Sequence, residues 1–267
     1  MKNAWTLVPA VALITSIAAA PGSASTGRYV NASYALIVGG TVPQTPSGYF
    51  PVKLVWSAAK PMPLSYRVAM EDEGYDSGAT VFTAKTTKTH YVFDPSLYKL
   101  PLGVGFQFFV TPVYADGRTG PTSQNVAFLS MATGDTSDFH YNGAGWHSAT
   151  NNNYLYGSNE FTTANGASAV TEYLDGTTNI GIVATKGPKG GLMAVYLAGK
   201  HVATVNLYAP VTQNRVLVWA NNNGNTNYIS LHYRLIKLVN VSTSATRNQI
   251  NANGVEQIAC SGSPICG

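Results

Sequence analysis

Short runs of alternating apolar and polar residues, separated by Gly- and Pro-rich turns, constrain this chain more than any other feature of its sequence. Val52, Leu54 and Trp56 share one face of the first clear run, and residues 64–70 repeat the same period of two. That period is the one of a half-buried β-strand, not of a helix. Only 10% of the residues are charged, too few to cover helix surfaces with Glu and Lys. We therefore predict an all-β protein.

The length of the chain and one seam within it predict two domains. A chain of 267 residues suits two ordinary domains. A stretch of small polar residues at 132–137 separates two groups of strand-like runs. We predict two β-sandwich domains, over residues 26–131 and 138–259, with residues 132–137 as the linker and residues 260–267 as a Cys-bounded tail.

The N-terminus has the pattern of an export signal. Lys2 precedes a nearly continuous apolar run from Ala4 to Ala20, and small residues follow it. This order predicts a signal peptide over residues 1–25, cleaved after Ala24 or Ser25, and hence a secreted, extracellular protein. The run is too short for a membrane anchor and has no basic flank on its far side, so we predict no membrane span.

Two cysteines lie in the C-terminal tail. Cys260 and Cys266 enclose a short Ser- and Gly-containing loop. In an oxidising compartment such a pair forms a local disulfide by default. A metal site would need further ligands nearby, and a catalytic thiol would need a His partner. We therefore predict a disulfide between them.

The first half resembles a known module. Trp56 lies on the second predicted strand, and Tyr66-Arg67-Val68 lies on the third. A long aromatic strand then leads into Val113–Pro121, where Asp-Gly is followed by small residues and Pro. This order resembles a fibronectin type III domain over about residues 30 to 131. The resemblance implies a spacer or a binding surface.

The second half resembles another module. Trp146 stands near its start, and a Gly-rich loop at 186–191 leads into a predicted hairpin over 192–208. A further strand follows at 229–235. The order is similar, over about residues 135 to 259, to a jelly-roll module that is common on secreted bacterial proteins and is often appended to glycoside-active enzymes. The resemblance implies a carbohydrate-binding role.

The residue types of the second half fit sugar recognition. Sugar rings present apolar C–H faces, so sites for them combine flat aromatics with amide and hydroxyl groups. Trp146 either fills the core or belongs to such a site, and Asn runs also occur simply as turn formers. The candidate ligand-binding residues are Tyr154, Tyr156, Tyr208, Trp219, Asn152 and Asn222.

The sequence offers no catalytic constellation. The five histidines are scattered, and neither a nucleophile elbow nor a phosphate-binding loop is present. Glu160, Glu172 and Asp175 have the chemistry of a glycosidase pair, but nothing in the sequence brings them together. The acidic stretch from Glu71 to Asp76 is either a solvated loop or a structural calcium loop. We predict no catalytic residues and no metal site, and no cofactor unless that calcium binds.

These observations lead to one main function and two alternatives. The formal net charge of +4 is scattered, without the basic run of a nucleic-acid footprint. We predict a secreted, non-catalytic protein that recognises a polysaccharide or cell-surface glycan through its C-terminal jelly roll. The alternatives are a structural, adhesive or self-assembling surface protein, and an extracellular hydrolase or lyase with an unrecognised site. The oligomeric state stays open.

Overall fold

The regular structure of the chain is built from β-strands. A computed structural model describes residues 32–37, 50–72, 79–98, 106–123, 127–133, 138–172, 177–222 and 235–259. Within these ranges the only helical segments are two short 3-10 turns, at Pro95–Leu97 and Leu155–Gly157. The all-β prediction is therefore confirmed. No helix in the described ranges is long and apolar enough to cross a membrane. The predicted signal peptide and the Cys260–Cys266 pair lie outside the described residues.

The described residues of the N-terminal half form seven strands. Three of them form one sheet in the order β1-β2-β5, and β4, β3, β6 and β7 lie side by side in a second sheet. Side chains of both sheets meet in one core, in which Val52 and Leu54 of β2 pack with Phe106 and Phe108 of β6. The strands are β1 (Ala32–Ile37), β2 (Val52–Trp56), β3 (Ser65–Asp72), β4 (Ala79–Thr86), β5 (His90–Phe93), β6 (Phe106–Val113) and β7 (Ala127–Thr133).

Eleven strands lie in the described part of the C-terminal half. They are β8 (Phe139–Asn142), β9 (Trp146–Thr150), β10 (Ser158–Thr162), β11 (Ser168–Glu172), β12 (Thr177–Lys186), β13 (Leu192–Leu197), β14 (Lys200–Asn206), β15 (Gln213–Asn222), β16 (Leu235–Asn240), β17 (Ile250–Ala252) and β18 (Gly254–Ala259). One sheet has the order β14-β13-β16-β11-β8, and a small one has the order β17-β10-β9.

The hairpin predicted over residues 192–208 is present as β13 and β14. Ala198 and Gly199 form its turn with positive φ angles of 49° and 78°. Two consecutive residues in the left-handed region match a type I′ turn, whose twist suits paired strands.

One sheet joins the two halves of the chain. Its seven strands follow the order β15-β12-β18-β7-β6-β3-β4. The junction is the antiparallel pair β7–β18, which runs from Thr133 opposite Gly254 to Phe128 opposite Ala259. The predicted linker at 132–137 thus begins inside a strand of this sheet. The bounds of the two domains stay a prediction, but the halves share a backbone hydrogen-bond ladder.

The cores also cross the middle of the chain. Leu155 and Val183 belong to the C-terminal half, yet both pack in the N-terminal core. Ile180 and Ile182, on the same strand as Val183, pack in the C-terminal core with Val255 of β18. Strand β12 therefore contributes side chains to both cores.

Candidate functional site

A cleft of about 270 Å³ opens where β12 runs into the Gly-rich loop. Four segments that are distant in sequence line it, and loop residues Gly187, Pro188 and Gly190 form part of its wall. The polar and aromatic residues of the lining are Tyr154, Asn159, Thr185, Lys189, Thr212, Gln249 and Asn251.

Asn251 and Thr185 fix one side of this cleft. Asn251 Oδ1 accepts a hydrogen bond from the Thr185 backbone N–H at 2.7 Å. Asn251 Nδ2 donates to the Thr185 carbonyl, also at 2.7 Å. The side-chain amide thus serves the end of β12 as a neighbouring strand would, because it supplies one acceptor and one donor at the spacing of a peptide group.

The Thr185 hydroxyl extends this network. Thr185 Oγ1 donates to Asn214 Oδ1 at 3.2 Å and accepts from Asn253 Nδ2 at 2.9 Å. These contacts connect the ends of β12 and β15 with the turn between β17 and β18. A connected amide network of this kind holds its members in fixed orientations.

Asn159 lies in the lining without such support. It is 3% exposed, and its Oδ1 has no hydrogen-bond partner among the described residues. A buried amide oxygen left without a partner costs about 1–3 kcal/mol. Asn159 is therefore a group that a polar ligand atom or an ordered water would stabilise.

The wall formed by the Gly-rich loop is held tightly in place. The Gly187 N–H donates to the Leu207 carbonyl at 3.0 Å, and the Gln249 N–H donates to the Lys189 carbonyl at 3.0 Å. A Cβ atom on Gly190 would overlap the Leu207 carbonyl group. Glycine is required there because the two backbones approach so closely.

Arg215 positions the segment that contains Tyr154. Its Nη2 donates to the Tyr154 carbonyl at 2.7 Å and to the Asn152 carbonyl at 3.3 Å. The Arg215 backbone has φ +54°, in the left-handed region that few non-Gly residues adopt. Burial lowers the pKa of Arg215, but a guanidinium keeps its charge in proteins. A cation therefore lies directly behind the Tyr154 backbone.

A second aromatic residue, Tyr208, lies next to the Gly-rich loop. Tyr208 forms an isolated β-bridge with Gly187. The guanidinium carbon of Arg247 lies 4.0 Å from the centre of the Tyr208 ring. At that distance the contact is a cation–π interaction.

The six candidate binding residues occupy different places. Tyr154 lines the cleft, and Tyr208 lies beside the loop that walls it. Asn152 is exposed, and its carbonyl accepts from Arg215. Trp219 is half-buried against the C-terminal core. The side chains of Tyr156 and Asn222 lie outside the described residues.

Trp146, for which the sequence left core and site open, packs against the C-terminal core. Its indole N–H donates to the Asn142 carbonyl at 3.2 Å. Its ring lies 4.6 Å from that of Tyr141, measured between the ring centres.

Sequence reasoning missed most of the cleft. Asn159, Thr185, Gln249 and Asn251 were not candidates, although all four line it. Thr185 and Asn251 are 66 residues apart in the chain, so no local motif could associate them. The nearest signal in the sequence is the Gly-rich loop at 186–191, which leads into the predicted hairpin.

Glu160 and Glu172, the described acidic residues considered for hydrolysis, are not among the residues that line the cleft. Glu160 is on β10, opposite Ser148 of β9. Glu172 is exposed at the end of β11 in a different sheet, and Asp175 lies outside the described residues. Within the described ranges no three His, Cys, Asp or Glu side chains are close enough to hold a metal ion.

Comparison with known proteins gave structural likenesses alone. No protein-family model matches the sequence, and no curated protein matches it. The CBM36-1 domain of a multidomain xylanase from the hindgut metagenome of Trinervitermes trinervoides aligns over 51% of this chain and 99% of its own length, with 14% identity and a TM-score of 0.32.

Two further structures align over most of the chain. A Bacteroides uniformis β-glucuronidase aligns over 87% of this chain at 13% identity and a TM-score of 0.31, and the chain spans only 28% of its length. A structure of carbohydrate-binding modules from the β-sandwich superfamily aligns over 86% of this chain and 93% of its own, with 11% identity and a TM-score of 0.20.

Proposed function

We propose that this protein is a secreted, non-catalytic glycan-binding protein and that it binds a sugar in the cleft beside the Gly-rich loop. Asn159 is the observation that supports this most directly. Its amide lines the cleft, is almost fully buried and has an oxygen without a partner in the described part of the chain. This oxygen is shielded from solvent, so a small shift of the lining on binding would let a ligand hydroxyl donate the missing hydrogen bond.

The rest of the lining suits a sugar for the same reason. Gln249 and Thr212 add an amide and a hydroxyl, and Tyr154 adds an aromatic ring. Amides and hydroxyls match the donor and acceptor pattern of sugar hydroxyls, and an aromatic ring matches the apolar C–H face. The hydrogen bonds of Asn251 to Thr185 hold part of this lining in place before any ligand arrives, which lowers the entropic cost of binding.

The lining also favours binding over hydrolysis. Glycoside hydrolysis uses a pair of carboxyl groups roughly 5–9.5 Å apart, on either side of the scissile bond. Among the described residues that line the cleft there is neither Asp nor Glu. Export is part of the proposal because of the apolar N-terminal run, Ala4 to Ala20, and the small residues that follow it.

For the N-terminal half we propose a fibronectin type III-like spacer. Its two facing sheets, β1-β2-β5 and β4-β3-β6-β7, support this assignment, since a sandwich of three strands on four is the architecture of that class.

A binding experiment tests the proposed function. The purified protein is incubated with insoluble polysaccharides and applied to a glycan array, alongside Tyr154→Ala and Asn159→Ala. We expect the protein to bind at least one of these glycans. Each substitution should weaken that binding about tenfold, because one lost ring contact or hydrogen bond is worth roughly 1–1.5 kcal/mol.

Tyr196→Ala is the matched control. Tyr196 is a half-buried tyrosine on β13 that packs near His201, away from the cleft lining. We expect it to bind like the unsubstituted protein. Retention of no glycan would refute the proposed function, and equal losses in all three variants would place the site elsewhere.

A further inference from the structure

The segments that build the cleft carry positive charge alone. They are residues 151–159, 183–190, 206–215 and 242–253, and they contain neither Asp nor Glu. Their charged residues are Lys186, Lys189, Arg215 and Arg247. Four of the 16 basic residues of the chain lie in these segments, and none of its 12 acidic residues does.

Lys189, Arg215 and Arg247 lie on or beside residues that line or border the cleft, whereas Lys186 is not among the lining residues. Lys189 lines the cleft itself. The Arg215 guanidinium is hydrogen-bonded to the Tyr154 carbonyl behind the rim, and Arg247 lies over Tyr208 beside the loop. At physiological salt, charges interact over about 8 Å before screening, so an anion bound beside Lys189 would be attracted by each further cation within that range.

The nearest carboxylate in sequence does not offset them. Glu160 follows Asn159 directly on β10. Successive side chains of a strand point to opposite faces of its sheet. Since Asn159 lines the cleft, Glu160 points away from it.

From this distribution we infer that the ligand is an acidic glycan, whose sugar residues carry carboxylate or sulfate groups. The inference rests on the proposed function and specifies the substrate class of the same site. The amides and Tyr154 bind the sugar ring and its hydroxyls, and Lys189 pairs with the anionic group. Arg247 is held over the Tyr208 ring by one face, so its N–H edges stay available for an anion on the next sugar residue.

Polygalacturonate and its fully methyl-esterified form give a matched test, because the ester removes only the charge. Binding of the purified protein to each is measured by titration calorimetry at low and high salt, with heparin as the sulfated counterpart. We expect polygalacturonate or heparin to bind about tenfold or more tightly than the ester, and to weaken as salt rises. Binding of polygalacturonate shows that carboxylates suffice, and binding of heparin without polygalacturonate points to sulfate groups.

Variants locate the effect. Lys189→Gln and Arg247→Gln are expected to weaken acidic-glycan binding about fivefold each, the size of one exposed ion pair. Lys85→Gln is the matched control, since Lys85 is an exposed lysine on β4. Strand β4 is five positions from β12 in the seven-stranded sheet, or roughly 24 Å at the usual strand spacing.

Each outcome is decisive. Equal, salt-insensitive binding of the ester and the acid would overturn the acidic-glycan inference and leave the proposed function intact. Binding of no glycan, acidic or neutral, would overturn both. Double-stranded DNA that binds as tightly as the acidic glycan, with the same response to Lys189→Gln, would show a general polyanion surface and overturn the inference as well.

Discussion

The side-chain amide of Asn251 occupies the position that a neighbouring strand would take beside Thr185. It accepts from the Thr185 N–H and donates to the Thr185 carbonyl, at 2.7 Å in both cases. The two residues are 66 positions apart, so this pair ties the end of β12 to β17. The cleft wall depends on that tie.

Asn251→Ala should destabilise the fold. It removes two hydrogen bonds and leaves the backbone of Thr185 without partners at a site where Asn251 is 4% exposed. We expect a loss of about 2–4 kcal/mol in the free energy of unfolding, measured by urea denaturation. Asn159→Ala is the control, because the Asn159 Oδ1 has no partner to lose in the described residues. A comparable loss in both variants would contradict the assigned role of Asn251.

Gly190 should tolerate no side chain. An alanine Cβ there would overlap the Leu207 carbonyl group, whereas one on Gly187 would meet the Thr212 Oγ1 at an ordinary 3.5 Å. We expect Gly190→Ala to lower the free energy of unfolding by about 2 kcal/mol or more and to weaken ligand binding, since the wall must shift. Gly187→Ala should change both by little. Equal behaviour of the two alanine variants in thermal unfolding would disprove the close approach.

Arg215→Lys should loosen residues 152–154, the rim of the cleft, while keeping the positive charge at position 215. Nη2 of Arg215 donates to the carbonyls of both Tyr154 and Asn152, and the shorter lysine side chain does not carry its ammonium to the position of that nitrogen. We expect ligand affinity to fall about threefold to tenfold and amide exchange in residues 152–154 to accelerate. Arg67→Lys, on the exposed face of β3, is the control. If exchange at the rim is unchanged in Arg215→Lys, those hydrogen bonds do not order it.

The chain should behave as one cooperative unit. Cutting it between residues 133 and 138 leaves β7 and β18 on different fragments, although they pair over six residues. We expect neither fragment to fold independently and the two to co-purify when co-expressed, because each alone would expose an unpaired strand and an open core. A fragment of residues 138–267 that unfolds cooperatively on its own would contradict this.

Strands with a strong apolar alternation were predictable from sequence. Val52, Leu54 and Trp56 are all buried as β2, and the hairpin at 192–208 follows from its turn and flanking runs. Strand β4 was not recognised. It is an edge strand of Ala, Thr and Lys around a single buried aromatic, Phe82, so it lacks the repeated apolar positions that mark a strand.

Leu64 shows the reverse effect. Its position continues the alternation of Tyr66, Val68 and Met70, but it precedes β3 and is 59% exposed. Periodicity alone does not set where a strand begins. The end is decided by hydrogen-bond pairing with neighbours, which a single run of residues does not reveal.

The cleft was beyond sequence reasoning for a different reason. Tyr154 was a candidate because it stands beside an Asn run, and it does line the cleft. Asn159, Gln249 and Asn251 sit in strands or between them with no local signal of a site. They lie close together because β10 pairs with β17, and these strands are some ninety residues apart along the chain.

The seven-stranded sheet fixes the orientation of the two halves of the chain relative to each other. Modules on a flexible linker sample many orientations. A continuous hydrogen-bonded sheet from β15 to β4 instead holds the N-terminal half in one orientation relative to the cleft. A long polymer bound beside the Gly-rich loop would therefore always extend from the protein in the same direction relative to the N-terminal half. A group attached at the far edge of the sheet would lie at a fixed distance and angle from the bound polymer.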